Sequence, residues 1–116
     1  MASCPIFKVA DIIGKKWTIV IVQEVSINGK NGFNAMFRRM KKISPKLLSK
    51  RLKELEETGI IKKEIFAKDM PVRTSYKLTK KGKELGNIIR SLKIWGAKYE
   101  GRPGCDRKQC VDCPLY

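Results

Sequence analysis

Four cysteines, a run of lysines at helical spacing and the lack of any histidine bound the chemistry open to this chain of 116 residues. Cys105, Cys110 and Cys113 follow one another at spacings of x4 and x2, and Cys4 stands far off at the other end. Where cysteines are kept reduced, a Cys-x-x-Cys pair usually marks metal or redox chemistry rather than a structural bridge. Four thiolates are enough for zinc or an iron–sulfur cluster, which makes Cys4, Cys105, Cys110 and Cys113 one candidate ligand set. Thiol redox chemistry is the second reading of the same residues. Incidental thiols in a loose tail, or structural disulfides, are the plain one. Without histidine the commonest general acid–base is gone, and with it every Ser-His, Cys-His or mixed Cys/His zinc arrangement. No glycine-rich phosphate loop is present either. The chain is therefore not expected to be an enzyme.

Residues 44–58 carry the other pattern. Ser44 is a good N-cap, Pro45 suits the first helical position, and Gly59 stands where the chain must leave the helix. Leu48, Leu52 and Leu55 fall at i, i+4 and i+7 and form an apolar stripe; Lys46, Ser49, Lys50 and Lys53 form a second stripe roughly opposite. Glu54, Glu56 and Glu57 are held to the far end. A leucine back, a basic and hydroxyl front in the first half, and acids beyond it suit insertion of the first half into a DNA groove. A solvated lysine face on an ordinary surface helix is the bland alternative.

Charge favours the first of these. Lysine and arginine total 26 against 11 acids, a net charge of +15, and such a surplus suits a polyanionic partner because phosphate contacts release condensed counterions. No apolar run approaches the ~18 residues that span a bilayer, and the N-terminus lacks the pattern of a secretory signal. A cytoplasmic protein with no membrane partner is expected.

The elements that would position these residues follow in order. Residues 6–13 read as a short helix ended by Gly14. Residues 17–27 are ambiguous: β-branched residues make 18–22 look like a strand, while a run of this length without turn residues also suits a buried helix. Residues 28–32 are a turn, with Phe33 in a very short strand. Asn34 caps a helix to about Lys42, with Ala35, Phe37 or Met36, and Met40 inward and Arg38, Arg39, Lys41 and Lys42 outward. Two short helices joined at Ile43-Ser44 make a helix-turn-helix. Residues 60–66 and 72–78 read as a hairpin, a wing, whose loop carries Lys68 and whose second strand carries Arg73. Thr79 caps a long helix over 80–99. There Leu85, Ile88, Leu92, Trp95 and Tyr99 recur at spacings of 3 and 4, a heptad-like seam that would suit a dimer interface.

Together these segments resemble the HxlR-type winged helix-turn-helix regulators of the MarR-like group. The matching residues are Cys4-Pro5, Ile12-Ile13-Gly14-Lys15-Lys16-Trp17-Thr18, Phe33-Asn34, Arg38-Arg39 and Ile43-Ser44-Pro45-Lys46. They continue through Leu48-Ser49, Arg51-Leu52, Leu55-Glu56, Gly59-Ile60-Ile61, Tyr76-Lys77-Leu78-Thr79, Gly82 and Trp95-Gly96. The resemblance implies that 17–27 is a helix and that the N- and C-terminal helices build a homodimer. It also implies that the second helix of the motif enters the major groove while the wing lies along the backbone or minor groove. Several members sense oxidants or electrophiles through a cysteine at the position of Cys4.

The expected fold is α+β, mostly helical: a winged helix-turn-helix with flanking dimerisation helices over 1–100, followed by a cysteine-containing tail over 101–116. The expected function is a sequence-specific DNA-binding transcriptional regulator, a repressor in the simplest case, acting as a homodimer on double-stranded DNA and responsive to redox state or metal through its cysteines. Its DNA-binding residues would be Arg38, Arg39, Ser44, Lys46, Ser49, Lys50, Lys53, Lys68 and Arg73. One rival is a metal- or cluster-binding redox protein that uses the winged helix for protein contacts; another is a winged helix that binds nucleic acid without sequence preference.

Overall fold

The structure, a computed structural model, describes residues 4–28 and 31–100. Among them are five helices and one hairpin: α1 (Pro5–Ile13), α2 (Lys16–Ile27), α3 (Phe33–Arg39), α4 (Pro45–Glu57), β1 (Ile61–Phe66), β2 (Arg73–Leu78) and α5 (Lys80–Tyr99). The tail that carries Cys105, Cys110 and Cys113 lies outside the described residues.

The ambiguous segment is a helix, and its place in the molecule explains its composition. α2 is the central element, packed against α1, α4, α5 and β2. Ile21, Val22 and Val25 are buried, and Ile19 and Val20 pack against the same core from other sides. A helix covered on several faces reads as a continuous apolar run, so the β-branched residues that locally favour a strand are overruled by packing.

Two expectations about the next segment are corrected. Phe33 is not in a strand but opens α3, and the N-cap is Gly32 rather than Asn34. The Gly32 carbonyl accepts the Met36 N–H at 3.0 Å, while Asn34 faces solvent. The helix ends at Arg39, short of Lys42, because Met40 leaves helical geometry (φ −95°, ψ 69°) and turns the chain toward Ile43. Met36, Met40 and Ile43 are buried in the same core as the residues of α2 and α4.

β1 and β2 pair antiparallel in the register Ile61↔Leu78 to Phe66↔Arg73. The base of this ribbon reaches the core through Ile60, Ile61 and Leu78, and half-buried Tyr76 packs against it. α5 docks there closely. A Cβ on Gly82 would fall against the Ile60 carbonyl oxygen and within 3.1 Å of the Leu78 side chain, so the helix can approach the ribbon only with glycine at that position.

Candidate nucleic-acid interface

The face of α4 is set by its back. Ser44 Oγ accepts the Leu47 N–H at 3.1 Å, which satisfies one of the unpaired donors at the helix start, and Pro45 occupies the first turn. Leu48, Leu52 and Leu55 are all at most 2% exposed, each side chain stabilising the fold by roughly 1.5–3 kcal/mol relative to water. This burial fixes the rotation of the helix about its axis. Lys46, Ser49, Lys50 and Lys53 consequently all stand in solvent, within an arc of roughly 100° at 3.6 residues per turn. Ser44 is exposed at the N-cap, and Glu56 and Glu57 are exposed at the C-terminal end.

Both ends of α4 are anchored. At its C-terminus the Ile60 N–H reaches the Leu55 carbonyl at 3.0 Å and the Gly59 N–H reaches Glu56 at 3.1 Å. Gly59 has φ +77°, and Ile60 and Leu55 are both buried, which completes a Schellman ending. The start of α5 closes over this turn. Thr79 Oγ1 donates to the Gly59 carbonyl and accepts the Gly82 N–H, and Lys81 Nζ donates to the Thr58 carbonyl at 2.7 Å. On the flank, Glu54 takes Lys15 Nζ at 3.3 Å and Arg51 Nη1 at 3.2 Å. Partial burial pushes the Glu54 carboxyl up, but the Lys15 hydrogen bond and the charges of Arg51, Lys15 and Lys50 outweigh it and hold the group below its ordinary value. Lys15, in the turn between α1 and α2, is thereby tied to the middle of α4.

The remaining basic residues divide. Arg38 is exposed on α3 and Lys68 at the turn of the wing. Arg73 is also exposed, but braced: its guanidinium lies 4.6 Å from the centre of the Phe66 ring and its Nε is 3.2 Å from Asp69. Arg39 departs from its expected outward position. Its Nε donates to Glu24 at 2.6 Å and its Nη2 donates to the Asn31 side-chain oxygen at 3.0 Å. Glu24 is 2% exposed and also accepts from Asn28 at 3.1 Å. A buried carboxylate without its partner would be strongly destabilising, so Arg39 is first of all the counter-charge of α2. Asn31 extends the network to the wing. Its side chain donates to the Val25 and Asn28 carbonyls, its own carbonyl accepts the Tyr76 N–H at 3.0 Å, and its N–H donates to Ser75 Oγ. Glu24, Arg39 and Asn31 thus join α2, α3 and β2 in one polar cluster. Glu24, Asn31 and Lys15 were missing from the expected site. A lone acid inside an apolar run was the one available signal, since a buried charge must find a partner.

The seam expected on α5 separates into two parts. Leu85 is half-buried and packs on its own core. Ile88, Leu92, Trp95 and Tyr99 are 45–62% exposed, and Ile94, absent from the expected seam, is exposed beside them. Ile6 and Phe7 on α1 are likewise exposed, at 66% and 70%. Cys4 sits at the head of α1, exposed and with a free thiol. Among the described residues no three His, Cys, Asp or Glu side chains stand close enough to hold a metal. No described helix is long and apolar enough to cross a membrane.

The HxlR-like helix-turn-helix model matches residues 12–103. Bacillus subtilis YdeP, an HTH-type transcriptional regulator, is 37% identical over 100 residues, covering 86% of this chain and 77% of that protein. An HTH-type regulator of Methanothermobacter thermautotrophicus is 34% identical over 96 residues, covering 83% of this chain and 72% of its own. Among solved structures, the redox regulator HypR in its reduced form superposes with a TM-score of 0.75 at 32% identity, over 84% of this chain and 95% of that one. The reduced form of the transcriptional regulator YodB from B. subtilis gives 0.71 at 29% identity, over the same shares.

Proposed function

This chain belongs to the HxlR-like helix-turn-helix family and is a winged-helix transcriptional regulator; on that premise we propose that it binds double-stranded DNA sequence-specifically as a homodimer, with α4 in the major groove. The reading is carried by one observation: a capped helix with a fully buried leucine back leaves Lys46, Ser49, Lys50 and Lys53 together in solvent. Lys46, Ser49 and Lys50 can reach base edges, and Ser44, Lys53 and Arg38 supply phosphate contacts. Lys68 and Arg73 serve the wing, the latter held ready by Phe66 and Asp69. Arg39 braces the motif from within as the partner of Glu24 and Asn31, and its expected DNA contact is made from that position. The twofold partner covers Ile88, Leu92, Trp95 and Tyr99 together with α1, and two subunits present two copies of α4 to two half-sites. The protein works in the cytoplasm, without enzymatic activity. Operator binding is tested by gel shift on the DNA upstream of its own gene. The pair Lys46→Ala with Lys50→Ala abolishes the shifted band at moderate salt and leaves the size of the protein unchanged. An unaltered band removes α4 from this role.

Regulation by oxidation is a second part of the reading, favoured by the exposed free thiol of Cys4 and by likeness to HypR, described as a redox regulator. Two Cys4 thiols joined across the dimer would give up two electrons and two protons to an oxidant.

A further inference from the structure

A hollow of about 590 Å³ lies at the base of the wing, between α2, the hairpin and the first turns of α5. That size falls within the ~300–1,000 Å³ usual for small-molecule sites. Lys62 and Lys77 enter from the two strands and Lys80 and Lys83 from α5, over a floor that includes Val25, Leu78 and Gly86. None of the ten lining residues is acidic. Among the described residues, the acid paired with these lysines is Glu64, which bonds Lys77 from outside the hollow.

Local structure makes each of these positions a costly one for lysine. Lys62 and Lys77 are cross-strand partners, an arrangement that is repulsive for like charges. Lys80 and Lys83 occupy the first turn of α5, which holds no acid, and the helix dipole opposes cations there. Residues placed against local preference around a concave surface mark a function that compensates. Another hollow, of about 290 Å³ between α1, α2 and α4, has the opposite balance, with Asp11, Glu54 and Glu57 against Lys15. The lysine cluster is therefore not a uniform consequence of the basic composition.

Nor does the cluster belong to the surface assigned to DNA. Six residues of strand, roughly 20 Å, separate the base of the wing from Lys68 at its turn. The start of α5 abuts the acidic, C-terminal end of α4, through Lys81 and Thr58. We propose that this hollow binds a small polyanion, a molecule bearing two or more carboxylate or phosphate groups with a compact apolar body. The four lysines neutralise the acidic groups, and Val25 and Leu78 receive the body. The site stands whether or not α4 reads DNA.

Calorimetric titration of the full chain with citrate and with pyrophosphate, at constant ionic strength, tests this. At least one probe is expected to bind saturably at one site per chain, and the better of the two identifies the acidic group. Lys62→Gln combined with Lys83→Gln weakens that binding about tenfold or more, as expected for the loss of two charged contacts, while Lys46→Ala with Lys50→Ala leaves it unchanged. Lys80→Gln, at an exposed position outside the hairpin, gives the same reading where the double variant does not fold. Absence of saturable binding overturns the proposal, as does equal binding by the cavity variants. Equal weakening by the α4 variant overturns it too, since the attraction would then be diffuse charge. Loss of duplex DNA affinity in the cavity variant, with anion binding intact, assigns these lysines to the nucleic-acid surface instead.

Discussion

α4 and α5 carry nearly the same apolar pattern and come to opposite ends. On α4, Leu48, Leu52 and Leu55 form a stripe that lies wholly inside the domain. On α5, Ile88, Leu92, Trp95 and Tyr99 form a stripe that the domain leaves about half exposed. The buried side of α5 is another one, made of Gly82, Gly86 and Ile89, where small residues admit the hairpin and α2. An apolar stripe at helical spacing announces that something will cover it, not whether the cover is the same chain or another. The difference shows in the outer faces as well. α4 has its leucines spent inside and turns lysines outward, whereas α5 turns tryptophan and leucine outward, the surface proposed above for a second copy.

The contrast can be broken at several points. The largest effect is expected on the buried stripe. Leu52→Ala leaves a cavity beneath α4 and should lower stability by about 3 kcal/mol, read from urea unfolding; a loss below half of that would mean the back of α4 is less tightly held than its burial implies. Next comes the exposed stripe. Leu92→Asp should leave the fold of one subunit intact by circular dichroism but turn the dimer into a monomer by light scattering. Operator affinity should fall at least about tenfold, because two half-sites are no longer held together. A dimer that survives this change would place the interface elsewhere. The smallest effect concerns the link between the two regions. Lys15→Gln removes an exposed ion pair to Glu54 and should cost about 0.5 kcal/mol. Because the Glu54 carboxyl is held below its ordinary value, the pair contributes fully above the ordinary carboxylate range and is lost as pH falls through the folded-state value. Wild type and variant should therefore differ near neutral pH and converge in acid, and a difference that persists in acid would refute the assignment.

Local rules were enough wherever a feature is satisfied within a few residues. Ser44 and Thr79 cap their helices through their own hydroxyls, Gly59 takes the positive φ that a Schellman ending requires, and the segment expected at 72–78 is a strand from Arg73 to Leu78. Each depends on neighbours in the chain, so composition and spacing reveal it. Expectations failed where a long-range contact decided. Asn34 has the chemistry of a cap, but Gly32 makes the turn, because Asn31 beside it is committed to the wing and to Arg39. Arg39 looked like one more outward cation among Arg38, Lys41 and Lys42, and only the burial of Glu24 on another helix turns it inward. Residues 18–22, ambiguous locally, are the helix that the resemblance implied, since their strand preference is worth less than the core they help to fill.

Charge surplus, the lack of histidine, the opposed faces of residues 44–58 and the order helix, helix, hairpin, helix were all determined by the sequence alone, for each needs only residue type and spacing. Tertiary structure decided which stripes are covered and which stand open. It drew Glu24, Arg39 and Asn31 into one cluster, tied Lys15 to α4, and gathered lysines from two strands and a helix around one hollow. The physical reason is that burial and charge pairing depend on distances between segments far apart in the chain, and no periodicity along a single segment encodes them.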